Sequence, residues 1–523
     1  MAQQRNGGSR NSKASSGSQG GKGSKTSARP NRPTRAASPV RPSRPRTERT
    51  GGDAGVERSL PRVRGDRYNA LHPALVAEVE QVVGAVLAFT APADMVVSRH
   101  FRANPRLGHR DRGVIAEAVY AVLRRKLEFA QFAQSGAGSL NRRFALLGLA
   151  FTAGVEPLTA ALGVRETDWL RALLKIDRAS LAFETRCNLP SWLLAALRER
   201  LGDEEIWQLA EALNQSAPLD LRVNALKSSR DAALAALQEA GVAGAAGSMA
   251  PWCIRLAGKP ALQHLALFND GTIEVQDEGS QLLAQLVAPR RGELVVDFCA
   301  GAGGKTLALG ALMKNTGRLY AMDVSATRLA RLKPRLSKSG LSNVHPVALD
   351  SERDPRLKRM VGKADRVLVD APCSGLGTLR RNPDLKWRQT PATVAEMNAK
   401  QTAILAAAAR LVKPGGRLVY ATCSLLRAEN AAIVDDFLAS HPEFVRSDAK
   451  AVLAAQQIAV ETGADLELWP HRHGTDGFYA AVLERRRGAG EGAKQQAEEA
   501  SPQPADEVQP ASTDDPPDLS GDS

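Results

Sequence analysis

Two thiols in this chain each close a β-type run. Cys373 ends Val367-Leu368-Val369-Asp370-Ala371-Pro372-Cys373, and Cys423 ends Arg417-Leu418-Val419-Tyr420-Ala421-Thr422-Cys423; small or turn residues follow both. In an open α/β sheet, ligands and chemistry gather at the carboxyl ends of the strands. A third run, Val295-Val296-Asp297-Phe298, leads into Cys299-Ala300-Gly301-Ala302-Gly303-Gly304-Lys305-Thr306. A glycine-rich turn lets the backbone approach a nucleotide-type ligand closely, and a thiolate forms covalent intermediates. Together they point to covalent group transfer.

The turn at 299–305 admits two ligands. Gly304-Lys305-Thr306 suggests a phosphate-binding P-loop, but that motif requires glycine at position 299, which is Cys. The other reading is a nucleoside cofactor. Such a fold calls for an acid at the end of the next strand to take a ribose hydroxyl, and Asp323 follows Leu319–Met322 at suitable spacing. A further run ends in Asp350, available to an adenine amino group, and another in Asp370, beside Pro372-Cys373. Asp297 reads as structural. The dinucleotide pattern G-x-G-x-x-G is not kept, which disfavours NAD and leaves S-adenosylmethionine as the expected cofactor, held by Cys299, Ala300, Gly301, Ala302, Gly303, Gly304, Lys305, Asp323, Asp350 and Asp370.

The elements that must position these residues alternate. Strand-like runs at 294–298, 319–322, 345–349, 366–370, 418–421 and 478–483 are mostly separated by helical stretches at 306–313, 326–338, 394–411 and 428–438. That alternation predicts an α/β fold with a doubly wound, mostly parallel sheet. Lys413-Pro414-Gly415-Gly416 is expected to stop the long helix and turn into the Cys423 strand. Upstream, apolar residues three and four apart predict helices from His72 to about Leu162 and on to about Leu213, with Pro190 in the first turn of a helix over 192–201. Residues 219–223, 229–240, 252–256 and 271–275 read as a small α+β module.

A chain of 523 residues holds two or three domains. No apolar stretch reaches membrane-spanning length and the first residues resemble no secretory signal. Five cysteines without a CxxC pair fit neither a disulfide framework nor a zinc site, so a reducing, cytoplasmic setting and no metal are expected. Cys187 and Cys253 read as buried small hydrophobes. The net charge is +14; residues 1–66 carry about 15 basic against 4 acidic side chains, and residues 488–523 about 1 against 9. Both ends are too poor in large apolar residues to offset their ordering entropy and are expected to be disordered. The basic body suits a polyanion, RNA or DNA.

These motifs carry a resemblance. The run 297–306, Asp370-Ala371-Pro372-Cys373-Ser374-Gly375, and Tyr420-Ala421-Thr422-Cys423-Ser424 followed by Glu429-Asn430 resemble the Nop/Sun family of RNA cytosine-5 methyltransferases. Leu221-Arg222-Val223-Asn224 and Gln276-Asp277-Glu278-Gly279-Ser280-Gln281 resemble segments that precede its catalytic domain, and 110–117 is similar to the NusB-like helices of its bacterial Sun branch. Where the family loop usually has Ala-Pro, this chain has Gly301-Ala302, which makes the loop more flexible.

The resemblance implies a Rossmann-like class I methyltransferase sheet over 283–487, a NusB-like RNA-binding domain over 67–165, and a helical linker with an RRM-like module over 166–282. It implies Cys423 as nucleophile on cytosine C6, Cys373 in resolving the adduct, Asp370 at the N3 edge, and Lys305 beside the cofactor or Asp370. DNA cytosine-5 methyltransferases use the Pro-Cys thiol, which would make Cys373 the nucleophile; the second cysteine, Cys423, argues for the RNA enzyme. The expected partner is ribosomal RNA in a single-stranded or loop region, because the base must leave its stack, with no membrane or metal and the protein a monomer. Trp387, within the basic run 380–388, is a candidate for stacking on a base, or else a core residue. The competing class is a non-catalytic RNA-binding or assembly protein that keeps the methyltransferase fold as scaffold, or an enzyme acting on tRNA.

Overall fold

Apolar residues at helical spacing decide the first third of the chain. In the computed structural model, which describes residues 70–487, helix Pro73–Leu87 buries Val76, Val79, Val82, Val83 and Val86 along one stripe. Helix His109–Arg124 buries Val114, Ile115, Ala118, Val119 and Val122 in the same way. Helix Leu140–Ala153 packs between them, and Gly148 lets it come close: a Cβ there would stand 2.7 Å from the Ala118 carbonyl oxygen. Helices Val164–Leu174, Ser191–Arg198 and Asp203–Leu213 follow. Pro190 is the N-cap residue of its helix rather than a first-turn residue, and that helix stops at Arg198, earlier than the sequence suggests. The arm over 1–66 and the tail from 488 lie outside the described residues.

Four short strands then form an antiparallel sheet: β1 Leu219–Val223, β2 Gly244–Ala246, β3 Cys253–Leu256 and β4 Ile273–Val275, in the order β2-β3-β1-β4. Helix Arg230–Glu239 lays Ala233 and Leu237 on Leu221, Val223, Ile254 and Ile273. A buried ionic network ties this sheet to the next helix. Arg255 donates to both oxygens of Asp220 at 2.8 and 2.9 Å and to Glu278 at 3.3 Å. Glu278 in turn accepts the Met249 and Ala250 N–H groups. Asp220, Cys253 and Glu278 converge at ligand spacing, but the Arg255 guanidinium neutralises the two carboxylates.

The large sheet contains β5 Leu294–Asp297, β6 Arg318–Asp323, β7 Val344–Ala348, β8 Ala364–Asp370, β9 Val412–Thr422, β10 Phe444–Ser447, β11 Leu466–Leu468 and β12 Phe478–Arg485. Its order is β10-β12-β9-β8-β5-β6-β7, with β11 against β12. The run β7-β6-β5-β8-β9 is parallel, and β12 pairs antiparallel with β9, β10 and β11. Alternate residues feed opposite cores: Val295, Leu368 and Val419 pack on one face, Val296, Val367, Val369 and Tyr420 on the other. Lys413-Pro414-Gly415-Gly416 does not precede the Cys423 strand as a separate turn but lies within β9, where the ladder to β8 shifts register between Ala364 and Arg366. The strand order reverses between β6-β5 and β8-β9, and this opens the crevice at the carboxyl ends of the sheet. Among the described residues, no helix is long and apolar enough to cross a membrane.

Candidate active site

β5 delivers Asp297 to the floor of that crevice. It is buried, and one carboxylate oxygen accepts the Thr306 hydroxyl at 2.7 Å while the other has no hydrogen-bond partner. Burial pushes its carboxyl up to about 7 against the pull of that hydrogen bond. Residues 298–303 then fold back over the neighbouring strand. The Ala300 N–H donates to the Met322 carbonyl at 2.8 Å, the Gly303 N–H to the Ala300 carbonyl at 2.8 Å, and the Gly301 N–H to Asp323 at 2.8 Å. Gly301 has φ +55° and Gly303 φ +83°; at Gly303 a Cβ would stand 2.2 Å from the Leu332 side chain. Glycine at both positions is thus a condition of the turn. Arg335 donates to the Ala302 carbonyl at 2.5 Å and pairs with Glu274 of β4, so the turn is braced by the small sheet.

Asp323 ends β6. It is nearly buried, and its two oxygens accept the Gly301 and Ser325 N–H groups, which leaves further lone pairs for ligand hydroxyls. Asp350 does not end its strand: β7 stops at Ala348, and the Asp350 side chain is 94% exposed, 3.8 Å from Arg356. The buried acid of that turn is Asp354, which accepts the Asp350 and Arg356 N–H groups.

Asp370 ends β8 and accepts from Lys305 Nζ at 2.6 Å; Lys305 projects from the first turn of helix Gly304–Leu312. Burial alone would lower the Lys305 ammonium, but Asp370 outweighs it and holds the group above its ordinary value. Cys373 and Cys423, fifty positions apart in the chain, meet at a sulfur–sulfur distance of 3.4 Å because β8 and β9 are adjacent parallel strands. The contact with Cys423, together with burial, raises the Cys373 thiol well above its usual range. Cys299 sits at the β5 end, partly exposed, and burial beside Asp297 and Asp370 raises its thiol as well. Cys187 and Cys253 are fully buried elsewhere.

The group beneath the thiols is Glu429, which belongs to the Tyr420–Asn430 motif but for which the sequence indicates no role. Glu429 is fully buried and accepts from the Ser374 N–H at 2.7 Å, the Ser374 and Ser424 hydroxyls at 2.5 Å each, and Gln401 at 3.1 Å. Its place in that motif marks Glu429 out, but nothing local shows that the serines after both thiols share it as a partner.

Trp387 and its basic neighbours differ from the stacking expectation. The indole N–H donates to the Leu123 carbonyl at 2.7 Å, and the ring lies against the helical core. Lys386 is buried and bonds the Arg124 carbonyl and Asn214; Arg381 bridges Asp277 and Asp476; Arg388 pairs with Asp384. This basic run joins the helical part to the sheet, and it does so because each cation finds an internal oxygen.

The donor set of the crevice discriminates between ligands. Asp323 bonds the glycine turn, Asp370 at the next strand end is paired with Lys305, and the buried Asp297 is held toward its neutral form. Carboxylates at strand ends disfavour a nucleotide phosphate and suit a nucleoside that carries a cationic sulfonium. Gly301, Gly303 and Asp323 are the residues that would hold such a group.

Comparison with known proteins agrees. A family model described as 16S rRNA methyltransferase RsmB/F matches residues 284–484, and one for an RsmF/B-like, ferredoxin-like domain matches residues 189–263. The probable ribosomal RNA small subunit methyltransferase B of Synechocystis sp. is 38% identical over 311 residues, 59% of this chain and 70% of that protein. The ribosomal RNA small subunit methyltransferase B of Sodalis glossinidius is 38% identical over 298 residues, 56% of this chain and 65% of that protein. The crystal structure of PH0851 superposes with a TM-score of 0.65 at 28% identity, covering 80% of this chain and 99% of its own. With its glycine turn, acidic strand ends and matched catalytic region, the chain belongs to the ribosomal RNA small subunit methyltransferase B family, whose methyl donor is S-adenosyl-L-methionine.

Proposed function

We propose that the protein methylates C5 of a cytosine in small-subunit ribosomal RNA through a covalent bond between Cys423 and C6 of the base. The observation that carries this reading is the 3.4 Å pair of strand-end thiols beside the Lys305–Asp370 ion pair. Cytosine C5 is too weak a nucleophile to accept a methyl group unaided. Adding the Cys423 S–H across the ring places sulfur on C6 and, by way of Asp370, the proton on N3, and C5 becomes an enamine-type nucleophile. Lys305 keeps the Asp370 carboxylate oriented for that transfer. When bound, S-adenosyl-L-methionine supplies the electrophilic methyl group. Asp370 then recovers the N3 proton.

Release is a β-elimination, and here Cys373 serves. In one concerted step the C6–S bond breaks, the departing Cys423 sulfur draws the proton from Cys373, and the Cys373 sulfur so freed takes the C5 proton, whose electron pair becomes the C5–C6 double bond. Both thiols end protonated.

The helical part and the small sheet are the proposed RNA-holding elements. Burial first, and then Arg124, Arg381 and Arg380, lower the Lys259 ammonium while Glu117 raises it, and Lys259 donates to the Ser216 hydroxyl. The net charge of +14 suits a phosphodiester partner. Single-stranded or loop RNA is the proposed substrate, because the base must turn out of its stack to reach the crevice.

The test is covalent trapping. Cys373→Ala should accumulate an RNA–protein adduct that survives a denaturing gel, and Cys423→Ala should form none. The reverse pattern would exchange the two roles, and adducts from neither variant would remove the covalent mechanism.

A further inference from the structure

We infer that Glu429 is a positioning residue that sets the distance between the two thiols and thereby the rate of adduct release. The inference rests on the covalent reading above. Glu429 acts on the Cys373 thiol through its charge, and each thiol is followed by a serine that hydrogen-bonds its carboxylate. One carboxylate oxygen takes the Ser374 N–H at 2.7 Å and Gln401 Nε2 at 3.1 Å. The other takes the Ser374 and Ser424 hydroxyls at 2.5 Å each, and those hydroxyls lie 3.3 Å apart. Gln401 also donates to the Pro372 carbonyl at 2.9 Å, which fixes the residue before Cys373. One buried side chain therefore joins the turn after β8, the turn after β9 and the long helix Pro391–Ala409.

Glu429 is itself held. Its backbone carbonyl accepts the Tyr420 hydroxyl at 2.7 Å, and the following Asn430 accepts from Thr422 and donates to the Ser424 carbonyl. The strand pairing brings the two turns near one another, since Asp370 lies opposite Ala421 in the ladder. The ladder ends there, however, and beyond it the relative height of Cys373 and Cys423 rests on these side-chain bonds and on the Gly377 N–H to the Cys423 carbonyl at 2.9 Å.

The two halves of the reaction use this geometry differently. Addition of Cys423 to the base requires one sulfur and Asp370. Elimination requires Cys373 to receive the C5 proton and to hand its own to Cys423, so it needs the sulfurs in contact. Loosening the clamp should slow release before it slows addition or methyl transfer.

The experiment compares Glu429→Ala, Glu429→Gln and Ser374→Ala with wild type and with Cys373→Ala. Each is assayed for single-turnover methyl transfer, steady-state turnover, kcat/KM for S-adenosyl-L-methionine and the gel-resistant adduct. Glu429→Ala should lower steady-state kcat about 10- to 100-fold and raise the adduct fraction, with single-turnover transfer held within about threefold. The kcat/KM for S-adenosyl-L-methionine should not move, because a slowed step after transfer lowers kcat and KM together. Glu429→Gln should restore turnover, because the serine hydroxyls can reverse and accept from its amide. Ser374→Ala, which keeps the N–H bond and loses the hydroxyl one, should show the same pattern more weakly; it also carries the test should Glu429→Ala not fold.

Equal losses of single-turnover transfer and turnover without added adduct would overturn the assignment, since a merely structural residue behaves that way. The Cys373→Ala lane separates the two levels of the argument. If it traps an adduct while the Glu429 and Ser374 variants do not, only the role of Glu429 falls. If it traps none, the covalent reading falls with it.

Discussion

Gly377→Ala is a single-methyl perturbation whose cost can be worked from the main chain. The Gly377 N–H donates to the Cys423 carbonyl at 2.9 Å, and its own carbonyl accepts the Gly477 N–H at 2.8 Å. A Cβ at Gly377 would stand 2.0 Å from the Gly477 carbonyl oxygen and 2.9 Å from that of Cys423. Ordinary contact begins near 3.4 Å, so the chains must part by more than an ångström, and neither obstacle is a flexible side-chain tip. Losing or stretching two backbone hydrogen bonds costs about 1 kcal/mol each, and overpacking adds about 1–3 kcal/mol. The sum, roughly 3–5 kcal/mol, should lower the unfolding midpoint of the catalytic domain by about 10 °C. Because the Cys423 carbonyl moves with the opening, methyl transfer should fall by about 100-fold even where the variant stays folded. Thermal denaturation followed by circular dichroism measures the first effect and tritiated methyl transfer to ribosomal RNA the second. A variant with wild-type midpoint and wild-type turnover would refute the claim that this glycine holds the Cys423 turn.

Two further outcomes follow from buried groups. Asp297 is raised to about 7 in the folded chain against 3.8 in the unfolded one, so its contribution to stability is fully present below pH 3.8 and is lost as pH rises through 7, at most about 4 kcal/mol. Asp297→Asn should flatten that slope. The difference between the two proteins in denaturant midpoint at pH 5 and pH 8 checks it, and identical pH dependence would count against a buried, protonated Asp297. Trp387→Phe keeps a six-membered ring but loses the pyrrole part of the indole with the N–H that bonds Leu123, which should cost about 2–4 kcal/mol in thermal stability and leave RNA affinity within about twofold. Unchanged stability with weakened RNA binding would return Trp387 to the stacking role.

The parts of the molecule that repeat a strong local pattern were readable from the sequence. The parallel strands at 294–297, 318–323 and 364–370 are runs of Val, Leu, Ala and Met bounded by acids or turns, and burial on both faces demands such runs. β10 and β11, of four and three residues, carry too little pattern to stand out, and they pair only because β12 offers an antiparallel edge. The meeting of Cys373 and Cys423 could be expected from two strand ends, whereas the 3.4 Å contact depends on strand order, which no local stretch encodes. Asp350 was read as ending a strand because Val347-Ala348-Leu349 looks continuous with it; Asp354 takes the buried place through hydrogen bonds to the turn backbone. Trp387 was ambiguous because a basic aromatic segment suits RNA and an internal joint equally well, and only the Leu123 carbonyl decides between them.

The neighbouring parallel strands also separate distance along the gene from distance in space. Helix Pro391–Ala409 makes the crossover between β8 and β9 and packs along the outer face of the sheet. Lengthening its solvent end by whole turns would add codons between the Pro-Cys and Thr-Cys steps while leaving the sulfurs where they are. A pattern search that fixes the interval between the two cysteines would therefore discard chains able to build the same centre, and one that fixes each motif and leaves the interval free would retain them.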